Sequence, residues 1–197
     1  MKTGPPERLR LFIALQIPED IKDELENAQS QLRRAVPSEQ VRWAKREQFH
    51  LTLKFLGSVE HQRVPALTDA VSAACQKFGA LSLRAQGIGC FPDYRFPRVI
   101  WAGVADLQQQ LPLMQSAVQL ASQEFTNEEP EERFTGHVTL GRIKHITRPA
   151  AEALAKSAAK LVGRNFGEWI AHELHIMRSE LSPKGARYSA LALIPFR

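Results

Sequence analysis

The feature that most constrains the fold is a short motif that occurs twice. His50 and His137 each begin the sequence His-x-Thr-Leu, with Thr52 and Thr139 in third place. Both copies lie in apolar runs typical of β-strands, where alternate side chains point to opposite faces. Each histidine therefore shares a face with its threonine, roughly 6–7 Å away along the strand. Strict alternation also predicts that Lys54 lies on the face of the first histidine.

Length and charge narrow the class of protein. A chain of 197 residues forms one domain of ordinary size or two small lobes that share a core. The net charge of +5 favours an anionic partner such as phosphate or nucleic acid. The two cysteines do not form a Cys-x-x-Cys motif, and neither a signal peptide nor an apolar run of membrane-spanning length is recognisable. These features predict a cytoplasmic protein without membrane contact.

Strand-like and helix-like segments alternate along the chain. Apolar residues at helical spacing predict four helices, and their approximate bounds are 18–34, 64–78, 112–125 and 148–162. Segments rich in β-formers predict strands at 9–17, 41–43, 49–56, 81–86, 98–104, 136–142, 168–180 and 186–196. A loop is expected at 87–97, and Ser182-Pro183-Lys184-Gly185 is typical of a turn.

The recurrence of strand–helix units around the two motifs indicates an internal duplication. We therefore predict a bilobal α+β fold, with two mainly antiparallel sheets flanked by helices. A pseudo-twofold relation between the lobes would direct both motifs into a central cleft. No linker-like segment separates the halves, so we expect residues 1–197 to be a single domain made of two interleaved lobes.

Paired His-x-Thr-x motifs on duplicated lobes resemble the two-histidine (2H) phosphoesterase superfamily. Within it, the chain resembles the bacterial and archaeal RNA 2′,3′-cyclic phosphodiesterases, formerly called 2′-5′ RNA ligases. The blocks that carry this resemblance, in order, are RLFIALQIPEDI, VRWAKREQFHLTLKFLG, PRVIWAGV, RFTGHVTLGRI and SELSPKGARYSAL. The family usually has proline before the second histidine, where this chain has Gly136. Glycine loosens the backbone, so we expect His137 to be held less rigidly.

The resemblance implies hydrolysis of RNA 2′,3′-cyclic phosphate ends to a 2′-phosphomonoester, with weak reversible 2′-5′ ligation and without a metal or other cofactor. Opening such an ester needs one group that takes a proton from water and another that protonates the departing ribose oxygen. Histidine has a suitable pKa for both tasks. Following the family, His50 is assigned as the proton donor and His137 as the proton acceptor, although the reverse also fits. Thr52 and Thr139 would bind the non-bridging phosphate oxygens.

Further residues are candidates for binding the substrate. The family has an arginine that meets the phosphate at the position of Arg142, but strict alternation places it on the wrong face. A β-bulge at Gly141 would bring it to the histidines. Trp43, Tyr94 and Phe96 lie among basic residues and could stack on RNA bases, while a core role is equally consistent for Trp43 and Phe96.

Other functions share the same motifs. A related 2H phosphodiesterase could act on 2′-5′ oligonucleotides or on a small cyclic-phosphate metabolite, and a non-catalytic RNA-binding module could retain the fold. The expected partner is RNA with a 2′,3′-cyclic phosphate end or a small cyclic nucleotide. We expect a monomer, because one chain would build the whole cleft.

Overall fold

A computed structural model describes residues 6–182 and 185–197, which form nine strands, four α-helices and three single-turn 3-10 helices. In chain order the elements are β1 (Arg8–Gln16), α1 (Glu19–Arg33), β2 (Val41–Trp43), β3 (His50–Glu60), α2 (Val64–Cys75), β4 (Leu81–Phe91), β5 (Val99–Asp106), α3 (Leu111–Ser122), β6 (His137–Ile143), α4 (Arg148–Ala159), β7 (Asn165–Ala171), β8 (Glu173–Ser182) and β9 (Gly185–Pro195). The predicted turn at Pro183 and Lys184 lies outside the described residues.

The helices are amphipathic and bury one face. In α1 the buried residues include Ile21, Leu25 and Leu32, at the spacing of successive helical turns. Glu19 and Asp20 in its first turn stabilise the positive end of the helix dipole. None of the helices in the described part of the chain has the length and apolarity needed to cross a bilayer.

All strands pair antiparallel in one sheet, which consists of two halves. The first half-sheet has the strand order β3-β1-β8-β9, and the second has the order β6-β5-β4-β7. The two predicted sheets are thus halves of one continuous sheet, because β3 pairs with β6 at the centre. The short β2 also pairs with β6.

The chain crosses repeatedly between the halves. Helices α2 and α3 contact each other and strands β9 and β3 of the first half-sheet, whereas α1 and α4 contact β7 and β4 of the second. After α2 the chain enters the second half-sheet with β4, and after β7 it returns to the first half-sheet with β8. The helices cover one face of the sheet and bury the core there, and the other face carries the motif side chains.

Two predicted segments differ from the structure. The strand expected at 168–180 is interrupted at His172, because β7 pairs with β4 while β8 pairs with β1. The loop expected to begin at Gly87 begins only after Phe91. Gly87 has a φ of 64° at a point where the register between β4 and β5 shifts, so this glycine marks a β-bulge inside the strand.

Candidate active site

The two motif strands meet at a single residue pair at the centre of the sheet. Leu51 of β3 lies opposite Val138 of β6, and both side chains are fully buried against the helices. Because side chains alternate along a strand, their neighbours in each motif point to the other face. This is the only pair that joins β3 to β6 among the described residues, so the strands diverge on either side of it.

This register groups the four motif side chains. Extending this register by one residue on each side sets His50 opposite Thr139 and Thr52 opposite His137. The structure thus brings together two imidazoles at diagonal corners and two hydroxyls at the others. An anion the size of a phosphate group, placed at the centre, can be approached by an imidazole from each side.

His137 is held by its neighbours in the second half-sheet. Its Nδ1 lies 2.8 Å from the carbonyl oxygen of Thr135, so Nδ1 carries the proton and Nε2 is the nitrogen that can accept one. The ring packs edge-on against Phe91 at 5.0 Å between centroids and lies 6.3 Å from Trp101. Burial lowers the pKa of His137, and the positive charge of Arg142 lowers it further.

His50 has a more apolar environment in the first half-sheet. Its ring centroid lies 4.8 Å from that of Phe12 and 5.2 Å from that of Tyr188, which meets it edge-on. Burial lowers the pKa of His50 to about 4, and nearby positive charge on the second motif strand acts in the same direction. A hydrogen bond with the backbone of Gln48 opposes this shift. Gln48 precedes His50 by two positions, as Thr135 precedes His137 in the second motif.

A β-bulge places Arg142 on the same face as the histidines. Strand β6 pairs with β5 through Thr139 and Gly141 and skips Leu140, which is the extra residue of the bulge. The guanidinium is close enough to lower the pKa of both motif histidines. The predicted bulge therefore exists, and it involves Leu140 together with Gly141.

The first motif strand contains the same bulge, and this corrects one sequence prediction. Strand β3 pairs with β1 through Thr52 and Lys54 and skips Leu53. Lys54 is consequently turned away from the cleft, is only 6% exposed, and donates from Nζ to the carbonyl oxygen of Glu129 at 2.8 Å. The prediction that it shares the face of the first histidine was wrong. Phe55 faces the cleft instead, with 48% of its surface exposed.

Buried glutamines from two helices hold these bulges. Gln29 of α1 donates from Nε2 to the carbonyl oxygens of Leu140 and Ala44, both at 2.8 Å. Gln115 of α3 donates to the carbonyl oxygen of Leu53 at 3.4 Å. Each glutamine is 3% exposed. Sequence reasoning missed both, although a polar residue on the apolar stripe of a helix is the signal that could have revealed them.

The three predicted base-binding aromatics lie outside the group of histidines and threonines. A Cβ on Gly141 would lie 3.0 Å from the ring of Trp43, so this ring packs on the core side of β6, under the guanidinium of Arg33. That position does not fit the predicted role of Trp43 in substrate binding, because the bulge turns Gly141 towards the core. Tyr94 and Phe96 lie in the loop between β4 and β5, where Tyr94 donates to the carbonyl oxygen of Ile88 at 2.7 Å and Phe96 is 72% exposed.

Four aromatic side chains form the walls of the cleft, and none of them was among the predicted substrate-binding residues. These side chains are Phe12 and Tyr188 in the first half-sheet, and Phe91 and Trp101 in the second. Burial raises the pKa of Tyr188, and the charge of the second-motif arginine opposes this shift. Phe12, Trp101 and Tyr188 lie on predicted strands, whereas Phe91 falls in the segment that was predicted to be a loop and ends β4 in the structure. Their placement beside the histidines follows from the order of the strands in the sheet.

Comparison with known proteins identifies the class. A family model described as LigT like Phosphoesterase matches residues 15–101. An RNA 2′,3′-cyclic phosphodiesterase of Methanothermobacter thermautotrophicus is 28% identical over 188 residues, covering 92% of this chain and 96% of the relative. A protein of the same name from Thermotoga maritima is 30% identical over 139 residues, covering 70% of this chain and 71% of the relative.

Solved structures agree with this classification. A crystal structure of a Thermus thermophilus protein, TT0787, matches with a TM-score of 0.77 and 27% identity, covering 96% of this chain and 98% of the other. The crystal structure of Escherichia coli LigT complexed with 3′-AMP matches with a TM-score of 0.75 and 22% identity, which supports the fold alone; it covers 96% of this chain and 99% of the other. The fold and the paired motifs define a two-histidine phosphoesterase. The chain belongs to the LigT-like phosphoesterase family.

Proposed function

We propose that this protein hydrolyses RNA 2′,3′-cyclic phosphate ends to a 2′-phosphomonoester, without a metal ion, by acid–base catalysis between two histidines. The observation that carries the proposal is the group formed by His50, Thr52, His137 and Thr139 around a single strand pair. Relatives that align over most of the chain are named RNA 2′,3′-cyclic phosphodiesterase, which supports this substrate class.

The proposed reaction uses one histidine on each side of the phosphorus. His137 accepts a proton at Nε2 from the attacking water, while its Nδ1–H continues to donate to the carbonyl oxygen of Thr135. The new P–O bond forms as the bond from phosphorus to the ribose 3′-oxygen breaks. His50 then gives a proton to that oxygen, and the phosphate remains on the 2′-oxygen. Each proton transfer typically contributes about 10²–10⁴-fold to the rate.

Non-bridging oxygens need hydrogen bonds as charge develops on them. Thr52 and Thr139 are proposed to donate to these oxygens, because each lies across from an imidazole of the other strand. Arg142 is proposed to neutralise the same charge, since its guanidinium already acts on both histidines in the free protein. Groups that are fixed in place before the reaction stabilise the transition state without reorganisation.

The proton on His50 has to be supplied when substrate binds. Burial holds its pKa at about 4 in the free protein, so this imidazole is neutral at pH 7. A bound phosphate anion favours the charged imidazolium and raises the pKa. We therefore propose that His50 becomes protonated together with substrate binding. If the roles of the two histidines are exchanged, the same group of residues is used.

The proposed function is tested with an RNA oligomer ending in a 2′,3′-cyclic phosphate, incubated with the protein in the presence of a chelator. Chromatography would separate the cyclic end from 2′- and 3′-phosphate products. We expect opening to the 2′-phosphate, reduced about 10²–10⁴-fold in His50→Ala and in His137→Ala. Unchanged turnover in folded forms of both variants would contradict the assignment.

A modified substrate distinguishes the acid from the base. If the 3′-oxygen is replaced by sulfur, the departing thiolate needs no proton. His50→Ala should then recover most of its lost rate, and His137→Ala should not. Recovery of His137→Ala alone would exchange the two roles. Absence of opening by folded wild-type protein would favour a metabolite substrate, a 2′-5′ oligonucleotide or a non-catalytic RNA-binding role. Joining of RNA ends with 2′-5′ linkages would reveal the reverse reaction.

The proposal also includes the domain organisation, the oligomeric state and the cellular location. We propose that residues 1–197 form one domain of two interleaved lobes, supported by the pairing of β3 with β6, which joins the two half-sheets into one sheet. A monomer is supported by a cleft whose two histidines come from one chain. A cytoplasmic location is supported by Cys75 and Cys90, which are buried free thiols of the kind kept in reducing compartments.

A further inference from the structure

A single residue near the start of the first motif is hydrogen-bonded to two separate parts of the cleft. Gln48 ends the single-turn 3-10 helix Arg46–Gln48, two positions before His50. Its side-chain Nε2 donates to the carbonyl oxygen of Ala186 at 2.8 Å. Its own carbonyl oxygen accepts a hydrogen bond from the imidazole of His50. One residue therefore contacts both the first histidine and the strand that carries one wall of the cleft.

The side-chain bond joins two distant parts of the first half-sheet. Ala186 lies near the start of β9, the outermost strand, which in the described part of the chain pairs with β8 alone. Gln48 immediately precedes the region of β3, at the opposite end of the same strand order. Two residues further along β9, the ring of Tyr188 meets His50 edge-on, at 5.2 Å between centroids. The amide of Gln48 thus holds the strand of this wall residue against the first motif.

The main-chain bond determines how the ring of His50 is protonated. A neutral imidazole has one N–H group, and the nitrogen that donates to a carbonyl oxygen is the one that carries the proton. The other nitrogen of His50 is then the one that exchanges a proton with the substrate. The same bond restricts rotation of the ring. A displacement of about 1 Å in an active site can lower the rate about 10²-fold, so the position of this carbonyl group matters for catalysis.

Arg46 anchors the turn that ends in Gln48. A guanidinium group has five N–H donors. Arg46 makes five hydrogen bonds, all to residues of α1, at distances of 2.6–3.0 Å. The acceptors are the carboxylate and the carbonyl oxygen of Glu19 and the carboxylates of Asp23 and Glu26. Because every donor of the arginine is used within the protein, its role is to fix the turn to the helix.

We propose that Gln48 is a positioning residue, which selects the tautomer of His50 and holds β9 beside its ring, and that Arg46 fixes it in place. The second motif lacks the link to another strand. His137 also donates to a carbonyl oxygen, that of Thr135, but the hydroxyl of Thr135 makes no hydrogen bond within residues 6–182 and 185–197. The inference rests on the proposed function and adds to it a residue that acts through the first histidine.

The kinetic test removes the amide of Gln48 and keeps the length of the side chain. Gln48→Met should lower kcat for an RNA oligomer with a 2′,3′-cyclic phosphate end about tenfold and leave KM within about twofold. Sulfur in place of the 3′-oxygen should restore the rate of this variant to the same extent as it restores His50→Ala, because the defect lies in the same group. Arg46→Gln should show the same pattern with a smaller loss.

NMR of the imidazole nitrogens gives a measurement that does not depend on turnover. At neutral pH we expect a single tautomer of His50 in the wild-type protein and a mixture of both tautomers in Gln48→Met and in Arg46→Gln. A change that affected only packing or stability would leave the tautomer unchanged. A single, unaltered tautomer in both variants would therefore overturn the inference at any level of activity.

Each variant has a matched control outside the cleft. Gln62→Met lies in the 3-10 helix His61–Arg63 and removes a bond from Nε2 to the carboxylate of Glu60 at 3.1 Å. Arg164→Gln removes an arginine that also binds α1, through Glu24 at 2.8 Å. Neither should change kcat or the tautomer, and equal changes in the controls would contradict the positioning role.

Failure of the inference and failure of the proposed function give different results. If folded wild-type protein opens no cyclic phosphate, the proposed function fails. The tautomer populations of His50 in the same variants then still decide whether Gln48 positions the ring.

Discussion

The two motif strands, β3 and β6, have the same backbone arrangement, but the residues that they direct into the cleft differ in charge. Both combine a His-x-Thr sequence, a bulge one residue later and a buried glutamine that bonds to the bulge. After the bulge, the first strand directs Phe55 to the cleft and the second directs Arg142. The duplicated frame thus positions two equivalent imidazoles, and the residue that follows each bulge is an aromatic ring in one strand and a cation in the other. Four predictions test this difference, in order of decreasing effect.

The largest effect is expected from substitutions of Arg142 and Phe55, which occupy equivalent positions after the two bulges. Arg142→Gln should lower kcat/KM for cyclic phosphate opening about 10²–10³-fold, because it removes a donor aimed at developing charge. Phe55→Ala should cause a much smaller loss, since phenylalanine offers no hydrogen bond. Steady-state kinetics on the same RNA oligomer measures both. Equal losses would mean that the asymmetry has no catalytic role.

The second prediction concerns the free energy of unfolding as a function of pH. The pKa of His50 is about 4 in the folded protein against 6.5 ordinarily, so the unfolded chain binds this proton more readily. Stability that is present above pH 6.5 is therefore lost as the pH falls towards 4, by about 3 kcal/mol. Urea unfolding at several pH values should show that His50→Gln loses less stability over this range than wild type.

Carboxylates also titrate in this range, so the difference between wild type and variant is the quantity to measure. The same substitution at His172, an exposed histidine outside the cleft, controls for the loss of an imidazole as such. A His50→Gln profile that coincides with wild type would contradict the low pKa.

Replacing each buried glutamine by leucine should show how much each bulge contributes to stability and activity. Gln29→Leu leaves the carbonyl oxygen of Ala44 without this donor and removes one of the bonds to Leu140, which should cost about 1–3 kcal/mol of stability. Gln115→Leu removes one longer bond and should cost about 1 kcal/mol. Thermal unfolding and kinetics would measure both.

The kinetic readout distinguishes positioning from mere packing. Gln29→Leu should lower kcat/KM more than Gln115→Leu, because its bulge orients the arginine of the second motif. If both variants lose stability and neither loses activity, the bulges are maintained without the glutamines.

The smallest effect concerns the residues before the histidines, a buried Phe49 in one strand and Gly136 in the other. A Cβ at Gly136 would lie 2.7 Å from the carbonyl oxygen of Val104, so β6 can start this close to β5 only with glycine. Gly136→Ala should destabilise the fold by about 1–2 kcal/mol. Gly79→Ala, where a Cβ meets no atom within 4 Å, is the control and should not destabilise. Equal stability of the two variants would show that β6 adjusts freely.

Most of the helices and strands could be predicted from the sequence, because they follow from local patterns of apolar residues. The periodicity of α1 and the alternation around both motifs placed helices and strands correctly, and the repeat itself indicated a duplicated α+β fold. The interruption at His172 could not be predicted, because the sequence on either side is equally suited to a strand. Only the different partners of β7 and β8 separate them.

The sequence by itself determined that two strands present a histidine and a threonine on one face, because alternation over three residues is a local property. Only the tertiary structure decided which way the side chains after each threonine point. The bulges at Leu53 and Leu140 reverse the alternation, bury Lys54 and turn Arg142 to the cleft. They are held by glutamines on distant helices, and a strand pattern contains no information about a hydrogen bond that another element supplies.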